Sequence, residues 1–309
     1  MENNIKVSIL VLAYNHEKYI RKSLESMVSQ QTNFKFQIVI GEDKSTDNTR
    51  AIIKEYYEKY PDIIKPLFRK KNLGAARNVA ATLRQCTGEY VAFMECDDFW
   101  TDPLKLQKQA DFLDSHPDYA GVMCNTITVN RYDKPMVTGG KILDHEMLTP
   151  QDYVKTMYPY NQFKFNGAFL ARNYYKGGRY DKYLTQTVYV DDVILQGIAV
   201  MHGKIGFLED CMAAYRWIPS HGNNFSCLNK ELLCRDKIKS IRILKCFFKP
   251  ETYSRLYMRI CREHWILIYL YKNNKDYAAL FKYVLKEMPI CDKFFFILYW
   301  IRRKRTGEC

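Results

Sequence analysis

Short apolar runs alternate with segments of helical periodicity over the first 130 residues, and this alternation restricts the fold more than any other feature. The apolar runs predict strands at Val7–Ala13, Phe36–Ile40, Ile63–Phe68 and Tyr90–Met94. The segments between them predict helices at about Glu17–Gln30, Asp47–Tyr60 and Ala75–Cys86. Strands separated by single helices form βαβ units, so we expect an α/β fold with a mostly parallel sheet flanked by helices. A sheet of this kind binds its ligand at the carboxyl ends of its strands.

Later in the chain the same signals are sparser. Strands are predicted at Gly121–Val129 and Ala168–Ala171, a turn at the Gly-Gly pair 177–178, and a helix over Asp192–Met201. From about residue 229 the pattern becomes helical, aromatic and basic. We therefore predict one unit over residues 1–228, with a first half to about 118 and a second half from about 119, followed by a helical region over 229–309.

Acidic residues, and no glycine-rich phosphate-binding loop, follow the predicted strands. No glycine-rich dinucleotide fingerprint or Walker loop follows the first strand, so any phosphate must be bound in another way. Glu95 and Asp97 lie two residues apart directly after a strand, where alternate side chains point the same way. Carboxylates are typical ligands of Mg²⁺ or Mn²⁺ on a diphosphate. The alternative is a solvated acidic turn before the helix that begins near Asp102.

Four segments, in the same order, resemble the inverting family 2 glycosyltransferases of the GT-A (Rossmann-like) fold. They are VSILVLAYN (7–15), GEDKSTDNT (41–49), NLGAARN (72–78) and GEYVAFMECDDFW (88–100). The similarity extends over about residues 5–220. The similarity is greatest to the bacterial subgroup that builds surface polysaccharides. In that subgroup a segment like WTDPLKLQ (100–107) follows the acidic metal-binding motif, which corresponds to residues 95–97 here.

The resemblance implies a nucleotide-sugar site, with UDP as the expected nucleotide. Asp43 would accept a hydrogen bond from the uracil N3–H, and Arg77 would reach the nucleotide or the diphosphate. Asp97 would be the metal-bound acid of the DxD motif, with Mg²⁺ or Mn²⁺ as the cofactor. The remaining residues implied for the donor site are Ala13, Tyr14, Glu17, Glu95 and Asp98.

This sequence departs from the family pattern at the first acid of the DxD motif, which is Glu95, with Cys96 after it. Glu95 is more compatible with a contact to ribose or to a metal-bound water. Simpler structural roles exist for the other residues. Asp43 could cap a helix, and Arg77 could pair with a neighbouring acid.

Inverting transfer needs a second carboxylate that takes the proton of the acceptor hydroxyl. The segments GGRYD (177–181) and YVDDVIL (189–195) are similar to the turn and acidic pair that supply it in the family. Asp192 would be the base and Asp191 its neighbour, although both could instead cap the following helix. His221 could reach the metal or the diphosphate from a closing loop, or lie exposed on that loop. Trp100 and Trp217 could stack on sugar rings, although tryptophan is more often buried.

Positive charge is concentrated at the end of the chain. Residues 229–309 contain 19 Lys and Arg against 8 Asp and Glu, whereas the preceding residues contain 28 against 26. Basic clusters interleaved with aromatic residues favour an anionic membrane surface near a lipid-linked acceptor. The alternative is a helical subdomain with a solvated basic face. Nucleic acid is the least favoured partner, because no RNA-binding motif accompanies the charge.

Ten scattered cysteines without a CxxC pair, and no signal-peptide pattern, favour a reducing compartment. We expect a cytoplasmic enzyme, held peripherally on the inner face of the cell membrane. The sequence thus predicts a metal-dependent inverting glycosyltransferase that uses a nucleotide sugar and a saccharide or lipid-linked acceptor. A nucleotide-sugar or polysaccharide-binding protein without catalysis is the alternative, since Glu95 replaces the usual acid. A nucleotidyltransferase would show the glycine-rich loop that this chain lacks.

Overall fold

A computed structural model describes residues 5–136, 147, 149–156, 166–189, 192–218 and 230–306. The strands are β1 Val7–Ala13, β2 Phe36–Glu42, β3 Ile64–Phe68, β4 Tyr90–Glu95, β5 Phe99–Trp100, β6 Tyr119–Val129, β7 Phe169–Arg172 and β8 Lys204–Arg216. The first seven α-helices are α1 Ile20–Val28, α2 Thr49–Lys59, α3 Ala75–Leu83, α4 Lys105–Ser115, α5 Pro150–Thr156, α6 Asp181–Leu184 and α7 Asp192–Val200. The remaining four are α8 Lys230–Leu244, α9 Tyr253–Asn273, α10 Tyr277–Lys282 and α11 Ile290–Thr306.

One eight-stranded sheet organises these elements in the order β3-β2-β1-β4-β7-β6-β8-β5. The first four strands are parallel, while β7 pairs antiparallel with both β4 and β6. The predicted α/β class is therefore confirmed, and the four predicted strands of the first 95 residues each form within two residues of the expected bounds. The sequence analysis missed β5 and β8, which pair with each other at one edge of the sheet.

Each face of the sheet is covered by helices, because alternate side chains of a strand point to opposite faces. In β1, Ile9 and Val11 pack among buried residues of α1, α2 and α4. Leu10 between them packs with buried residues of α3 and α7 on the other face. Burial on both sides explains why the parallel strands are continuous apolar runs.

The C-terminal helices extend the core of the α3 and α7 face. Buried side chains of α8 and α9, among them Ile238, Leu244 and Leu256, belong to the same apolar cluster as Ile194 and Ile198 of α7. The predicted helical C-terminal region is confirmed, whereas the predicted boundary near residue 228 lies outside the described residues. Among the described helices, none combines the length and the apolar character needed to cross a membrane.

A buried polar network connects three of these C-terminal helices. The Asp292 carboxylate on α11 accepts hydrogen bonds from His264 Nε2 on α9, at 2.9 Å, and from the guanidinium of Arg242 on α8. The Tyr283 hydroxyl contacts the other ring nitrogen of His264. Burial alone would raise the pKa of Asp292, but the bonds from His264 and Arg242 outweigh it and lower the pKa to about 2.

Replacing Asp292 by asparagine is expected to lower the free energy of unfolding by about 2 kcal/mol at pH 7. A depressed pKa stabilises the fold above the unfolded-state value near 4, and this contribution is lost as the pH falls towards 2. Urea denaturation of wild type and Asp292→Asn should therefore give curves that converge below pH 4. An equal difference at pH 7 and pH 3 would contradict this account of the network.

Candidate functional site

Glu95, the last residue of β4, and the three residues before β5 form a tight acidic turn at the carboxyl edge of the parallel sheet. The Asp98 N–H donates to the Glu95 carbonyl at 3.1 Å. Asp97 is only 8% exposed, and its carboxylate makes no hydrogen bond or ion pair within the described part of the chain. A nearly buried carboxylate without a protein partner is costly unless a cation or a donor group reaches it.

Glu95 lies beside Asp97 at the open side of the turn. Its side chain is exposed to solvent at the end of β4, although nearby protein partly desolvates the carboxyl group. Burial, reinforced by repulsion from Asp97, raises the pKa of Glu95 to about 7. The acidic turn therefore concentrates carboxyl groups at this edge of the sheet, and a contact of Glu95 with a donor stays a prediction.

Arg216, at the end of β8, fixes the position of the acidic turn. Its backbone N–H donates to Asp98 Oδ1, and its Nε donates to the Asp97 carbonyl, both at 2.7 Å. The same guanidinium forms an ion pair with Asp133 and lies over the ring of Tyr19. These bonds give Asp98 a supporting role in the turn, while a direct contact between Asp98 and a donor stays a prediction.

Burial, together with repulsion from Asp97, raises the pKa of Asp98 well above its usual range. Sequence reasoning did not include Arg216 in the site. Nothing in its local pattern indicates that β8 returns to β5.

The loops after β1 and β2 are interlocked at the same edge of the sheet. Asn15 has a positive φ of 58°, which allows its side chain to accept from the Thr46 N–H at 2.8 Å, while its own N–H donates to Ser45 Oγ. The Glu17 carboxylate accepts from the backbone and side chain of Asn48 at the start of α2. The two loops therefore form one wall, with Ala13 buried beneath it.

Three predicted donor residues border this wall. Tyr14 is exposed, as a residue that covers a base would be. Asp43 is buried and accepts the N–H groups of Leu73, at 2.7 Å, and Gly74, at 2.9 Å. Asp43 thereby orders the loop that starts α3, and Arg77 projects from the exposed side of the first turn of that helix. No hydrogen bond of the Arg77 side chain is found in the described ranges, which leaves its guanidinium available for a ligand.

His16 is a site residue that the sequence analysis missed. It lies in the loop after β1, close enough to Asp97 and Asp47 to be affected by their charges. Burial lowers the pKa of His16, and the two carboxylates oppose that change. A single histidine between an asparagine and a glutamate carries no spacing signal, so only the structure brings it to the acidic turn.

The structure separates the two tryptophans. Trp100 is only 4% exposed, and its indole N–H donates to the Gly167 carbonyl at 2.9 Å, so it supports the site from behind and has no face free for a sugar. Trp217 follows β8 and is 39% exposed, which leaves its predicted stacking on a sugar open. Asp192 begins α7, but its side chain is outside the described part, as are Asp191 and His221.

The described residues hold no group of three or more His, Cys, Asp or Glu side chains gathered around a common metal position. A donor-bound divalent cation does not need such a cage, because Mg²⁺ takes one or two carboxylates and completes its shell with phosphate oxygens and water. The unpartnered carboxylate of Asp97, with Glu95 beside it, fits that smaller requirement.

Residues 8–177 match the family model of Glycosyl transferase family 2, and this is more than half of the chain. The chain belongs to that family, which confirms the resemblance. An uncharacterized protein of Mycobacterium tuberculosis is 45% identical over 112 residues, which cover 36% of this chain and 32% of that protein. The poly(ribitol-phosphate) beta-N-acetylglucosaminyltransferase TarS of Staphylococcus aureus is 36% identical over 114 residues, covering 36% of this chain and 19% of TarS.

Two solved structures share the fold. TarS 1–349 in complex with UDP-GlcNAc gives a TM-score of 0.61 at 19% identity, covering 96% of this chain and 79% of that one. The mannosyltransferase PcManGT of Pyrobaculum calidifontis, in complex with GDP-Man and Mn²⁺, gives 0.54 at 15% identity, covering 96% and 84%. At these identities the likeness shows the fold alone.

Replacing Arg216 by lysine is expected to weaken the binding of UDP with Mn²⁺ about tenfold. Lysine keeps the charge but cannot bridge the Asp97 carbonyl and Asp133 with a planar fork, so the acidic turn loosens. Isothermal titration calorimetry would measure the affinity.

Arg172→Lys is the matched control, since Arg172 also donates to backbone carbonyls (those of Tyr119 and Leu113) but does so away from the turn. An equal loss of affinity in both variants would show that the effect of Arg216 is not specific to the site.

Proposed function

We propose that this protein transfers a sugar, with inversion, from a UDP-sugar to a saccharide or lipid-linked acceptor in the synthesis of a cell-surface polysaccharide. The observation that carries the proposal is the acidic turn beside the wall formed by the loops after β1 and β2. There the nearly buried carboxylate of Asp97 has no hydrogen-bond or ion-pair partner among the described residues. Family membership supports glycosyl transfer as the reaction. The name of TarS supports the polysaccharide context, and its complex with UDP-GlcNAc supports the donor.

On the donor side, each proposed role follows from position at the carboxyl edge of the sheet. The uracil would lie against Tyr14 and the loop that Asp43 orders, with Asp43 offering its remaining lone pairs to the N3–H. Arg77 would pair with the nucleotide or the diphosphate, for which a guanidinium offers two parallel donors. The amino-terminal end of α3 adds a favourable partial charge for phosphate.

Asp97 would hold Mg²⁺ or Mn²⁺, with Glu95 oriented towards the ribose or a water on the ion. The cation, when bound, supplies positive charge that offsets the charge developing on the departing diphosphate. His16 would line the same position and exclude bulk water from it. The Mn²⁺ in the complex of PcManGT supports this cofactor.

On the acceptor side, Asp192 would be the base, with Asp191 as its neighbour. It would take the proton of the acceptor hydroxyl as that oxygen attacks the anomeric carbon from the side opposite the diphosphate. Trp217 offers an exposed ring for an acceptor sugar, and His221 would close over the diphosphate.

The proposal also includes an anionic membrane as the surface on which the acceptor is met. Tyr277, Phe281 and Leu285 follow one another at four-residue spacing along α10 and the π-helical turn Tyr283–Glu287 that continues it, so they lie on one side of this helical segment. All three are well exposed, Phe281 by 69%, and Ile290 at the start of α11 is exposed by 84%. We call these four residues the C-terminal apolar face.

Charge around the C-terminal apolar face is complementary to anionic lipid. Lys282 and Lys286 are exposed beside it, and Lys293 reaches back to the Leu285 carbonyl at 3.0 Å. Of the acids of this region, Glu287 pairs with Arg235 and with Lys282, Asp276 caps the start of α10, and Asp292 is buried in its network. Aromatic and aliphatic side chains bordered by lysines are typical of a surface that rests in the headgroup region.

Release of UDP from a panel of UDP-sugars with Mn²⁺ tests the reaction. We expect turnover with at least one donor, its loss with EDTA, and a fall of at least about 100-fold in Asp97→Asn, since charge at the diphosphate contributes several kcal/mol. Asp111→Asn, on the exposed side of α4, is the matched control and should leave turnover unchanged.

Turnover that survives both EDTA and Asp97→Asn would rule out the proposed metal site. UDP binding without release for any donor would favour the alternative of a binding protein without catalysis.

Sedimentation with lipid vesicles tests the membrane surface. Wild type should bind vesicles that contain phosphatidylserine and bind pure phosphatidylcholine vesicles far less, because the lysines contribute about 1 kcal/mol each only at an anionic surface. Phe281→Ser with Leu285→Ser should reduce binding at least about tenfold through lost apolar burial.

Tyr132→Ser removes a similarly exposed aromatic side chain from the part of the chain before residue 229, and it should leave vesicle binding unchanged. Binding of the double variant at the wild-type level would disprove the proposed docking surface.

A further inference from the structure

Asp236, on α8 of the C-terminal region, is a buried carboxylate whose hydrogen bonds lead towards the proposed catalytic base. Its two oxygens accept two consecutive backbone N–H groups, from Val188 at 2.8 Å and from Tyr189 at 2.9 Å. Burial raises the pKa of Asp236, and these two N–H groups oppose the rise. The carboxylate therefore holds a peptide segment that is 47 residues or more away in sequence.

The two residues that Asp236 holds, Val188 and Tyr189, come four and three residues before Asp192, where α7 begins. Val188 is 45% exposed, so apolar packing contributes little to fixing its position. Beyond the start of α7, the helix is held by hydroxyl groups: Tyr153 donates to the Val193 carbonyl at 3.0 Å, and Tyr175 to the Leu195 carbonyl at 2.7 Å. Asp236 thus ties the chain on the N-terminal side of Asp192 to α8, one of the C-terminal helices.

We propose that Asp236 is a positioning residue for Asp192, through which the C-terminal helices fix the approach of the base to the acceptor hydroxyl. The inference rests on the proposed function, since it assigns Asp236 a role only through the base. It adds to the C-terminal region a task in catalysis that is separate from any contact with a membrane.

The geometry requires a carboxylate at this position. An asparagine has one acceptor oxygen, so its NH₂ group would face the second backbone N–H and repel it. A glutamate keeps two acceptor oxygens on a stem one carbon longer and can recover part of the contact. Misplacement of a reacting group by about 1 Å costs about 100-fold in rate, so a small shift of this segment is measurable.

The test compares Asp236→Asn, Asp236→Glu, Asp192→Asn and the double variant Asp236→Asn with Asp192→Asn. The probes are UDP release from the active UDP-sugar with Mn²⁺, the affinity for UDP, and hydrogen exchange of the Val188 and Tyr189 amides. Asp236→Asn should lower kcat by about 10- to 100-fold, leave UDP affinity within about twofold, and speed exchange of the two amides. Asp236→Glu should regain part of the kcat.

Two controls separate positioning from stability. Asp292→Asn removes a buried carboxylate of the same region that contacts α8 and α9, so it should lower stability while leaving kcat and the exchange of the two amides unchanged. In the Asp192→Asn background, Asp236→Asn should cause no further loss of kcat, because a positioning residue acts only through the group it positions.

The outcomes distinguish the two proposals. Full activity of Asp192→Asn would show that the proposed base is wrong and would remove the role of Asp236 with it. Loss of activity in Asp192→Asn together with wild-type kcat in Asp236→Asn would overturn the positioning role alone. An additive loss in the double variant, or an equal loss of kcat in Asp292→Asn, would also overturn it.

Discussion

Three carboxylates within four residues repel one another, and the rest of the site depends on how the fold offsets that repulsion. Arg216 supplies two hydrogen bonds to the turn and places a delocalised charge behind it. These contacts anchor the backbone of Asp97 and one oxygen of Asp98, while the carboxylates of Asp97 and Glu95 remain at the cleft. The backbone of the turn is therefore held firmly, while the negative charge of its carboxylates is only partly offset by the described residues. This is expected of a site that receives a cation with its phosphate ligand.

The position of this turn follows from the parallel sheet. The strands β1, β2 and β4 end at the same edge, so residues distant in sequence, such as Asn15, Asp43 and Asp97, converge there. The antiparallel strand β7 ends the parallel series, and β6 and β8 bring Arg216 and Trp217 back to the acidic turn. Residues from the parallel and the antiparallel parts of the sheet thus meet at one line.

The parallel half of the fold could be predicted because its information is local. Continuous apolar runs define β1 to β4, and acids at their ends mark the edge that carries the site. By contrast, β8 has a mixed burial pattern with exposed residues at its centre, so neither alternation nor a continuous apolar run identifies it. Arg216, His16 and Asp236 escaped prediction for a related reason: each acts through a contact over a long sequence separation. The burial of Trp100 likewise depends on the return of the chain at Gly167.

The C-terminal helices connect these parts. They extend the apolar core of α7, expose an apolar face with lysines around it, and reach through Asp236 towards the start of α7. The charges of this region thus have different roles: Lys282 and Lys286 face outward, whereas the carboxylates of Asp236 and Asp292 are buried and hold the structure.

Anomalous diffraction from a crystal soaked with Mn²⁺ and UDP tests the central claim, that the acidic turn is the cation and diphosphate site. The account predicts one manganese peak at coordination distance, about 2 Å, from the Asp97 carboxylate and in contact with the diphosphate of UDP. A manganese peak on UDP that lies away from Asp97, or UDP bound elsewhere on the sheet, would contradict it.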